Sequence, residues 1–307
     1  MNRSFLAIAH RGARAFAPEN TLPAIRAAER LGANVVELDV QMSRDGELVV
    51  FHDDTILRCS DGLYKFPAHT DYSVGAFTWE ELSLLDVGAW YVHELARPAS
   101  RRQPYLRDLG PEELGEWVTP ADADEYESGS VRIPRLRDAL SVARECPLAV
   151  VLDLKAIPRR YSGIAGRTVE LVRDLGMVDE TLISSFDHTL LAEVRRLDQT
   201  LATGVLTSHR LYRPREYLQA LDADALHPAC PKTLHDADRA MIEELTSAGF
   251  QVNVWTENTT SRMRALIDAG VTGIFTDYPN RLGQVLRDVG RCVSLRPRLR
   301  RPSASRR

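Results

Sequence analysis

The sequence predicts an α/β protein, a single (β/α)8 barrel of the TIM type with an insertion after an early β-hairpin. The first observation is that short β-branched runs alternate with longer amphipathic runs from residue 5 to about residue 290, the pattern of repeated βα units. The second is that no glycine-rich phosphate-binding sequence follows the first strand, which disfavours an open doubly wound sheet. The length of 307 residues suits one large barrel.

Nine segments have the composition of strands, one more than a closed eight-stranded barrel holds. They are 5–10, 34–40, 47–53, 148–155, 181–186, 202–207, 223–228, 251–256 and 273–278. Asp45-Gly46 is a strong two-residue hairpin signal, so we expect 47–53 to fold back antiparallel on the preceding strand. A register set by that turn places Asp39 opposite His52.

Helices are predicted between the strands. They include Leu22–Leu31, Ile164–Leu175, Arg239–Ala248 and Arg262–Ala269. Asn20 or Thr21 is expected to cap the first of them.

The barrel domain is predicted to span residues 1–290, and residues 54–131 within it do not follow the βα rhythm. They contain a helix-like run, TWEELSLLD, and then a polar stretch interrupted by prolines. We expect an insertion over the barrel mouth, where long loops serve as lids or substrate walls. Residues 291–307 are basic and broken by proline without apolar periodicity, so they are predicted to form a disordered tail.

Composition restricts the classes of partner and compartment. The formal net charge of −4 argues against nucleic acid as the main partner. No apolar run reaches the roughly 18 residues that span a bilayer, and the first residues do not resemble a secretory signal. The four cysteines lie far apart, which suggests reduced thiols rather than a disulfide framework. We therefore expect a cytoplasmic enzyme that acts on a small molecule, with the number of subunits left open.

Carboxylates cluster at the predicted strand ends. Strand alternation places Glu37 and Asp39 on one face, and likewise Asp153 and Lys155. The C-terminal ends of barrel strands meet at the mouth, where active sites form. Three carboxylates converging there would repel one another, and one divalent cation is their natural partner. The alternative is a buried network in which these carboxylates only pair with Arg11 and Lys155.

Two histidines complete the candidate chemistry. His10 ends the first predicted strand and His52 ends the hairpin, and histidine can accept and return a proton near neutral pH. Arg11 and Lys155 supply fixed positive charge suited to a phosphoryl group. The chain has lysine only at positions 65, 155 and 232, so Lys155 stands out for its compact charge. The alternative is that each histidine is a satisfied structural residue.

An ordered set of motifs spans the chain to about residue 285 and resembles the glycerophosphodiester phosphodiesterase family. The motifs are His10-Arg11-Gly12, Pro18-Glu19-Asn20-Thr21, Val36-Glu37-Leu38-Asp39-Val40, Asp45-Gly46, Val49-Val50-Phe51-His52-Asp53, Ile133-Pro134, Asp153-Leu154-Lys155, Ser184-Ser185-Phe186, Val254-Trp255-Thr256 and Gly273-Ile274-Phe275-Thr276-Asp277-Tyr278-Pro279.

The resemblance implies a barrel that hydrolyses phosphodiesters with one bound Mg²⁺ or Ca²⁺. His10 and His52 would be the acid–base pair, with His10 favoured as base. The metal ligands would be Glu37, Asp39 and Asp153, and the substrate or phosphate contacts would be Arg11, Lys155, Trp255, His227 and Asn253. The products would be an alcohol and glycerol 3-phosphate, formed through a cyclic phosphate.

Two features depart from the family pattern. The third ligand is usually glutamate, whereas Asp153 resembles the spider-type sphingomyelinase D and phospholipase D barrels. The insertion is also longer than in compact members of the family. The open alternatives are an enzyme acting on acylated (lyso)phospholipids and an inactive phosphodiester-binding barrel. The Pro18–Thr21 motif, and the absence of a cysteine close in sequence to Cys59, favour the glycerophosphodiesterase.

Overall fold

A computed structural model describes residues 4–291 and 293–299, and its centre is a closed barrel of eight parallel strands. The strands are β1 Leu6–Ala9, β2 Val35–Met42, β3 Leu48–Val50, β4 Ala149–Leu154, β5 Thr181–Ser185, β6 Ala202–Thr207, β7 Ala225–Pro228, β8 Gln251–Val254 and β9 Gly273–Thr276. Pairing of β1 with both β2 and β9 closes the barrel, and β3 lies outside it, antiparallel to β2. The predicted fold class is confirmed.

Helices connect the strands as the sequence predicted. They are α1 Leu22–Arg30, α2 Gly62–Lys65, α3 Trp79–Ser83, α4 Ala89–Ala96, α5 Pro111–Trp117, α6 Pro120–Glu127, α7 Leu136–Glu145, α8 Ile164–Asp174, α9 His188–Leu197, α10 Pro214–Ala220, α11 Asp236–Ser247, α12 Thr260–Asp268 and α13 Pro279–Asp288. Thr21 is the cap of α1, because its hydroxyl accepts from the Ala24 N–H. Asn20 has a different role at the site.

The hairpin register differs by one residue from the prediction. Val40 pairs with Val50, and the Phe51 N–H donates to the Asp39 carbonyl, so Asp39 faces Phe51 rather than His52. The reason lies in the turn. Its loop has three residues, closed by the Ser43 N–H donating to the Glu47 carbonyl, and Gly46 takes the left-handed conformation at φ +89°.

The insertion is largely helical and packs around the chain segments that follow β1 and β9. It carries α2 to α6, and α4 contributes the Tyr91 hydroxyl, which donates to the Ala15 carbonyl at 2.7 Å. The Tyr278 hydroxyl donates to the Tyr105 carbonyl, and the Arg14 guanidinium lies 4.1 Å from the centre of the Tyr105 ring. The insertion therefore supports the strand ends at the barrel mouth.

The opposite end of the barrel is closed by apolar side chains and by part of the predicted tail. Ile8, Val35 and Val151 fill the interior near this end, and Leu299 joins the same cluster at 2% exposure. The Leu299 N–H donates to the Asp179 carbonyl at 2.8 Å. Leu299 therefore packs at the open end of the barrel, while disorder of the tail as a whole stays a prediction from the sequence. Residues 292 and 300–307 lie outside the described residues.

Among the described residues, no helix is long and apolar enough to cross a membrane. The described cysteines, Cys59, Cys146 and Cys230, are free thiols. Cys292 lies outside the described residues.

Candidate active site

A cavity of about 70 Å³ opens at the C-terminal ends of the strands and collects most of the predicted residues. It is lined by His10, Arg11, Glu37, Asp39, His52, Asp153, Lys155, Ser184, Phe186, Leu206, Trp255 and Phe275. Both predicted histidines, all three carboxylates and both predicted cations therefore line the same cavity. An apolar side formed by Trp255 and its neighbours faces this polar one.

The three carboxylates lie on neighbouring strands and are almost fully buried. Asp39 pairs directly with Asp153 in the β2–β4 register, and Glu37 lies two residues earlier on β2. Oxygens of the three lie within 4.8 Å of one another. Burial raises the pKa of Glu37, and repulsion by Asp39 and Asp153 raises it further. The three crowded carboxyl groups are oxygen donors of the kind that a hard divalent cation prefers, and such an ion would offset their mutual repulsion.

Asp153 offers a direct test of that fit. Its Oδ2 accepts from Lys155 Nζ at 2.7 Å, while its Oδ1 is buried without a hydrogen-bond partner in the described structure. An unpaired buried carboxylate oxygen is costly unless a ligand occupies it. Glu37, Asp39 and Asp153 thus fit a divalent cation, and the shorter aspartate still reaches the cluster.

The motif before α1 fixes two of these carboxylates. Arg11 has a left-handed backbone, and its N–H donates to Glu37 Oε2 at 2.8 Å. The Asn20 amide donates to Asp39 Oδ2 at 2.7 Å, and its oxygen accepts from the Asp39 N–H. Gly12 is required by packing against α1, because a Cβ there would lie 2.6 Å from the Ala24 Cβ.

Two cations balance the carboxylates. Lys155 Nζ lies 2.8 Å from Asp39 Oδ1 and 2.7 Å from Asp153 Oδ2. Burial opposes the charge on Lys155, but the two aspartates outweigh it and raise its pKa, so the ammonium stays protonated. Burial likewise opposes the charge on Asp39, yet Lys155, His52 and Arg11 hold its pKa well below the usual range.

His10 is oriented by a buried carboxylate that follows the last barrel strand. Its Nδ1 lies 2.8 Å from Asp277 Oδ1, so Nδ1 carries the proton and Nε2 is the free nitrogen. Arg14 and the Asn258 amide also donate to Asp277. Burial lowers the pKa of His10 to about 4, and Arg14 adds to that effect while Asp277 opposes it. His10 is therefore a neutral imidazole that can accept a proton.

His52 has an equivalent arrangement on the other side. Its Nδ1 lies 2.7 Å from Asp53 Oδ1, which again leaves Nε2 as the free nitrogen. Arg58, from the insertion, binds Asp53 through Nε at 2.6 Å and Nη2 at 2.8 Å, and it also donates to Glu19. Glu19 in turn accepts from Arg11 at 2.9 Å. Glu19, His52 and Asp53 also cluster closely enough for a metal, but the Arg58 guanidinium already occupies their oxygens.

Two predicted substrate contacts are not on the cavity wall. His227 and Asn253 are fully buried in the barrel interior, where the Asn253 amide lies 3.1 Å from His227 Nε2. Burial lowers the pKa of His227 to about 3, so this histidine is neutral. Both side chains point into the barrel interior and neither is among the residues that line the cavity, so their contact with substrate or phosphate stays a prediction from the sequence. Trp255 does line the cavity, with its ring edge-on to Phe186.

Sequence reasoning gave no role at the site to Asp277, Arg58, Asn20 or Ser184. Asp277 and Ser184 lie at strand ends within quoted motifs, so the strand-end argument applied to His10 would have selected both. Ser184 Oγ lines the cavity and is buried without a partner in the described structure. No sequence signal singles out Arg58, because its contacts depend on how the insertion folds.

Known proteins resemble this chain over most of its length. The model of the glycerophosphoryl diester phosphodiesterase family matches residues 10–281. The glycerophosphodiester phosphodiesterase of Caldanaerobacter subterraneus subsp. tengcongensis is 29% identical over 285 residues, covering 93% of this chain and 99% of that protein. Its counterpart in Bacillus altitudinis is 29% identical over 276 residues, covering 89% and 94%.

A solved phosphodiesterase structure is also similar to this chain. An Oleispira antarctica phosphodiesterase, in complex with the product sn-glycerol-3-phosphate, superposes with a TM-score of 0.71 at 27% identity, covering 91% of this chain and 96% of that one. With the family model matching most of the chain, the chain belongs to the glycerophosphoryl diester phosphodiesterase family and is a phosphoric diester hydrolase.

Proposed function

We propose that this protein hydrolyses glycerophosphodiesters to an alcohol and glycerol 3-phosphate, with two histidines as acid and base and one divalent cation. The observation that carries the proposal is that His10 and His52 line one cavity together with the Glu37, Asp39 and Asp153 cluster. The product bound to the Oleispira antarctica phosphodiesterase, sn-glycerol-3-phosphate, supports the substrate class.

The histidine pairings supply the two proton transfers. His10, neutral and held by Asp277 through Nδ1, accepts the proton of the glycerol hydroxyl next to the ester at Nε2. That oxygen attacks phosphorus and the bond from phosphorus to the alcohol oxygen breaks. His52 acts in its doubly protonated form, with Nδ1–H held by Asp53, and gives its Nε2 proton to the departing alcohol. Water then opens the cyclic phosphate with the two roles exchanged. The first step is favoured because the nucleophile is already tethered to the phosphorus it attacks.

Arg11 and Lys155 suit the phosphoryl group. Arg11 is buried, its guanidinium is anchored by Glu19, and its Nε has no hydrogen-bond partner in the described structure. Asp153 and Asp39 flank Lys155 and raise its pKa above the usual range, which favours the charged ammonium. Fixed cations beside the reaction stabilise the charge that gathers on the phosphoryl oxygens. Trp255 forms the apolar wall against which the glycerol carbons would pack.

Glu37, Asp39 and Asp153 would hold the cation, with Mg²⁺ and Ca²⁺ both compatible with three carboxylate ligands. When bound, such an ion polarises a phosphoryl oxygen and offsets the negative charge of the cluster. Residues 54–131 would act as the lid or substrate wall of this domain. The cytoplasmic location stays a prediction from the sequence.

The test is product analysis on the purified protein. Glycerophosphocholine, lysophosphatidylcholine and sphingomyelin are each incubated with it, with Mg²⁺, Ca²⁺ or EDTA present. We expect glycerol 3-phosphate from the first substrate only, and none with EDTA. His10→Ala and His52→Ala should each lower kcat by about 10²–10⁴. Cleavage of the acylated lipids alone would replace this assignment with the sphingomyelinase D-like alternative, and full activity of His10→Ala would refute the mechanism.

A further inference from the structure

A second and larger cavity, of about 470 Å³, adjoins the catalytic one. Lys155 lines both cavities, so a phosphoryl group at Lys155 has access to each. Other walls are formed by Asp54, Thr55 and Ser73 on the hairpin side and by Tyr161 on the loop after β4. This volume accommodates a small alcohol with its hydrating water.

The wall of this second cavity is continuous with the loop that carries His52. Gln41 lines the cavity, and its amide donates to the carbonyls of Phe51 and Asp53, both at 2.8 Å. Asp54 and Thr55 follow directly. An alcohol that leaves toward His52 therefore leaves toward the second cavity, whereas His10 lies on the side of Trp255 and Asp277.

The charges of the second cavity distinguish among alcohols. Lys155 is neutralised by Asp39 and Asp153, and Arg159, which also lines the cavity, is paired with Asp71 at 3.3 Å. The Asp54 carboxylate has no hydrogen-bond or ion-pair partner in the part of the chain that the structure describes. The cavity therefore presents one carboxylate whose charge is not matched.

The hydrogen-bonding groups of the second cavity restrict further which alcohols it can bind. Two residues with hydroxyl side chains, Ser73 and Thr55, line this wall and are paired by an isolated β-bridge. Tyr161 is the one aromatic residue on this wall, and its hydroxyl donates to Gln41 Oε1 at 2.8 Å. A quaternary ammonium group is bound by several aromatic faces, which this wall lacks. A primary ammonium group instead donates to a carboxylate and hydroxyls.

We propose that this second cavity is the subsite for the leaving alcohol and that it prefers an alcohol with a primary ammonium group, such as ethanolamine, over choline. The inference rests on the proposed function and names its substrate class. Asp54 would accept from the ammonium group, and Ser73 would supply a second acceptor.

The experiment compares kcat/KM of the Mg²⁺-loaded enzyme for glycerophosphoethanolamine, glycerophosphocholine and glycerophosphoglycerol. We expect the ethanolamine ester to exceed the choline ester by about tenfold, the worth of one charge-assisted hydrogen bond. In Asp54→Asn the ratio of the ethanolamine ester to the glycerol ester should fall about tenfold. Asp268→Asn, which removes an exposed carboxylate at the end of α12, is the matched control and should keep the wild-type ratio.

A preference for the choline ester, or an unchanged ratio in Asp54→Asn, would overturn the inference. Titration calorimetry with phosphoethanolamine and phosphocholine gives a readout that does not need turnover. Tighter binding of phosphoethanolamine that Asp54→Asn abolishes would support the subsite even if no diester were hydrolysed, an outcome that would refute the proposed function alone. Equal binding of the two compounds by the wild type would refute the subsite.

Discussion

Asp277→Asn tests whether a carboxylate positions His10. Asp277 Oδ1 accepts from His10 Nδ1 at 2.8 Å and from Arg14 Nε, while Oδ2 accepts from Arg14 Nη2 at 3.2 Å and from the Asn258 amide at 2.7 Å. Asparagine offers one oxygen, so its NH₂ group must face two donors whichever way it turns. If the NH₂ faces His10, Nδ1 becomes the acceptor and the proton moves to Nε2, which can then no longer act as base.

The magnitude follows from what a general base contributes. We expect kcat to fall by about 10²–10⁴, with KM changed less than about threefold. Because Asp277 raises the pKa of His10, its loss should also move the acidic limb of the pH–rate profile to lower pH. Kinetics at pH 7 to 9 measure the loss of kcat, and a profile extended below pH 4 measures the shift of the acidic limb. ¹⁵N NMR of the imidazole reports which nitrogen carries the proton.

The control for this variant is Asp187→Asn. Asp187 also follows a barrel strand and caps α9, and asparagine caps a helix equally well, so activity should stay near wild type. A loss of less than fivefold in Asp277→Asn, or an unchanged imidazole tautomer, would refute the positioning role. Thermal unfolding establishes that the variant is folded at the assay temperature, since leaving Arg14 short of its partner costs about 3 kcal/mol.

Three further predictions concern the metal cluster, the barrel interior and the first motif. Asp153→Asn should weaken Mg²⁺ binding at least about tenfold in titration calorimetry, and wild-type affinity would remove Asp153 from the ligand set. In the wild type, the free energy of unfolding should decrease as the pH falls from about 6 to about 4. In His227→Gln that decrease should be smaller by about 1.4 kcal/mol per pH unit. The unfolded histidine binds a proton below about pH 6.5, whereas the buried one, with a pKa of about 3, does not. Parallel denaturation curves for the two proteins would contradict this reasoning. Gly12→Ala should destabilise the fold by at least about 2 kcal/mol more than Gly32→Ala, because both have positive φ but only Gly12 would press a Cβ against Ala24. Equal denaturation midpoints of Gly12→Ala and Gly32→Ala would show that α1 moves aside to accommodate the added Cβ, which would contradict the prediction.

Local chemistry determined most of the elements of this protein. The βα alternation identified all nine strands, because each strand is a short apolar run between turn residues. Strand alternation also placed Glu37, Asp39 and Asp153 on the barrel interior, and the strand ends placed His10 and Lys155 at the mouth. These properties depend on the order of residues within one segment, so the sequence alone contains them.

Tertiary structure decided what depends on the distance between segments. The hairpin register was set by a three-residue loop rather than by Asp45-Gly46 alone. The depth of each inward-facing residue along the barrel separated His227, buried beneath the cavity, from Trp255 on its wall. The partners of the two histidines differ in the same way. Asp53 adjoins His52 in sequence, but Asp277 reaches His10 only because β9 closes the barrel against β1.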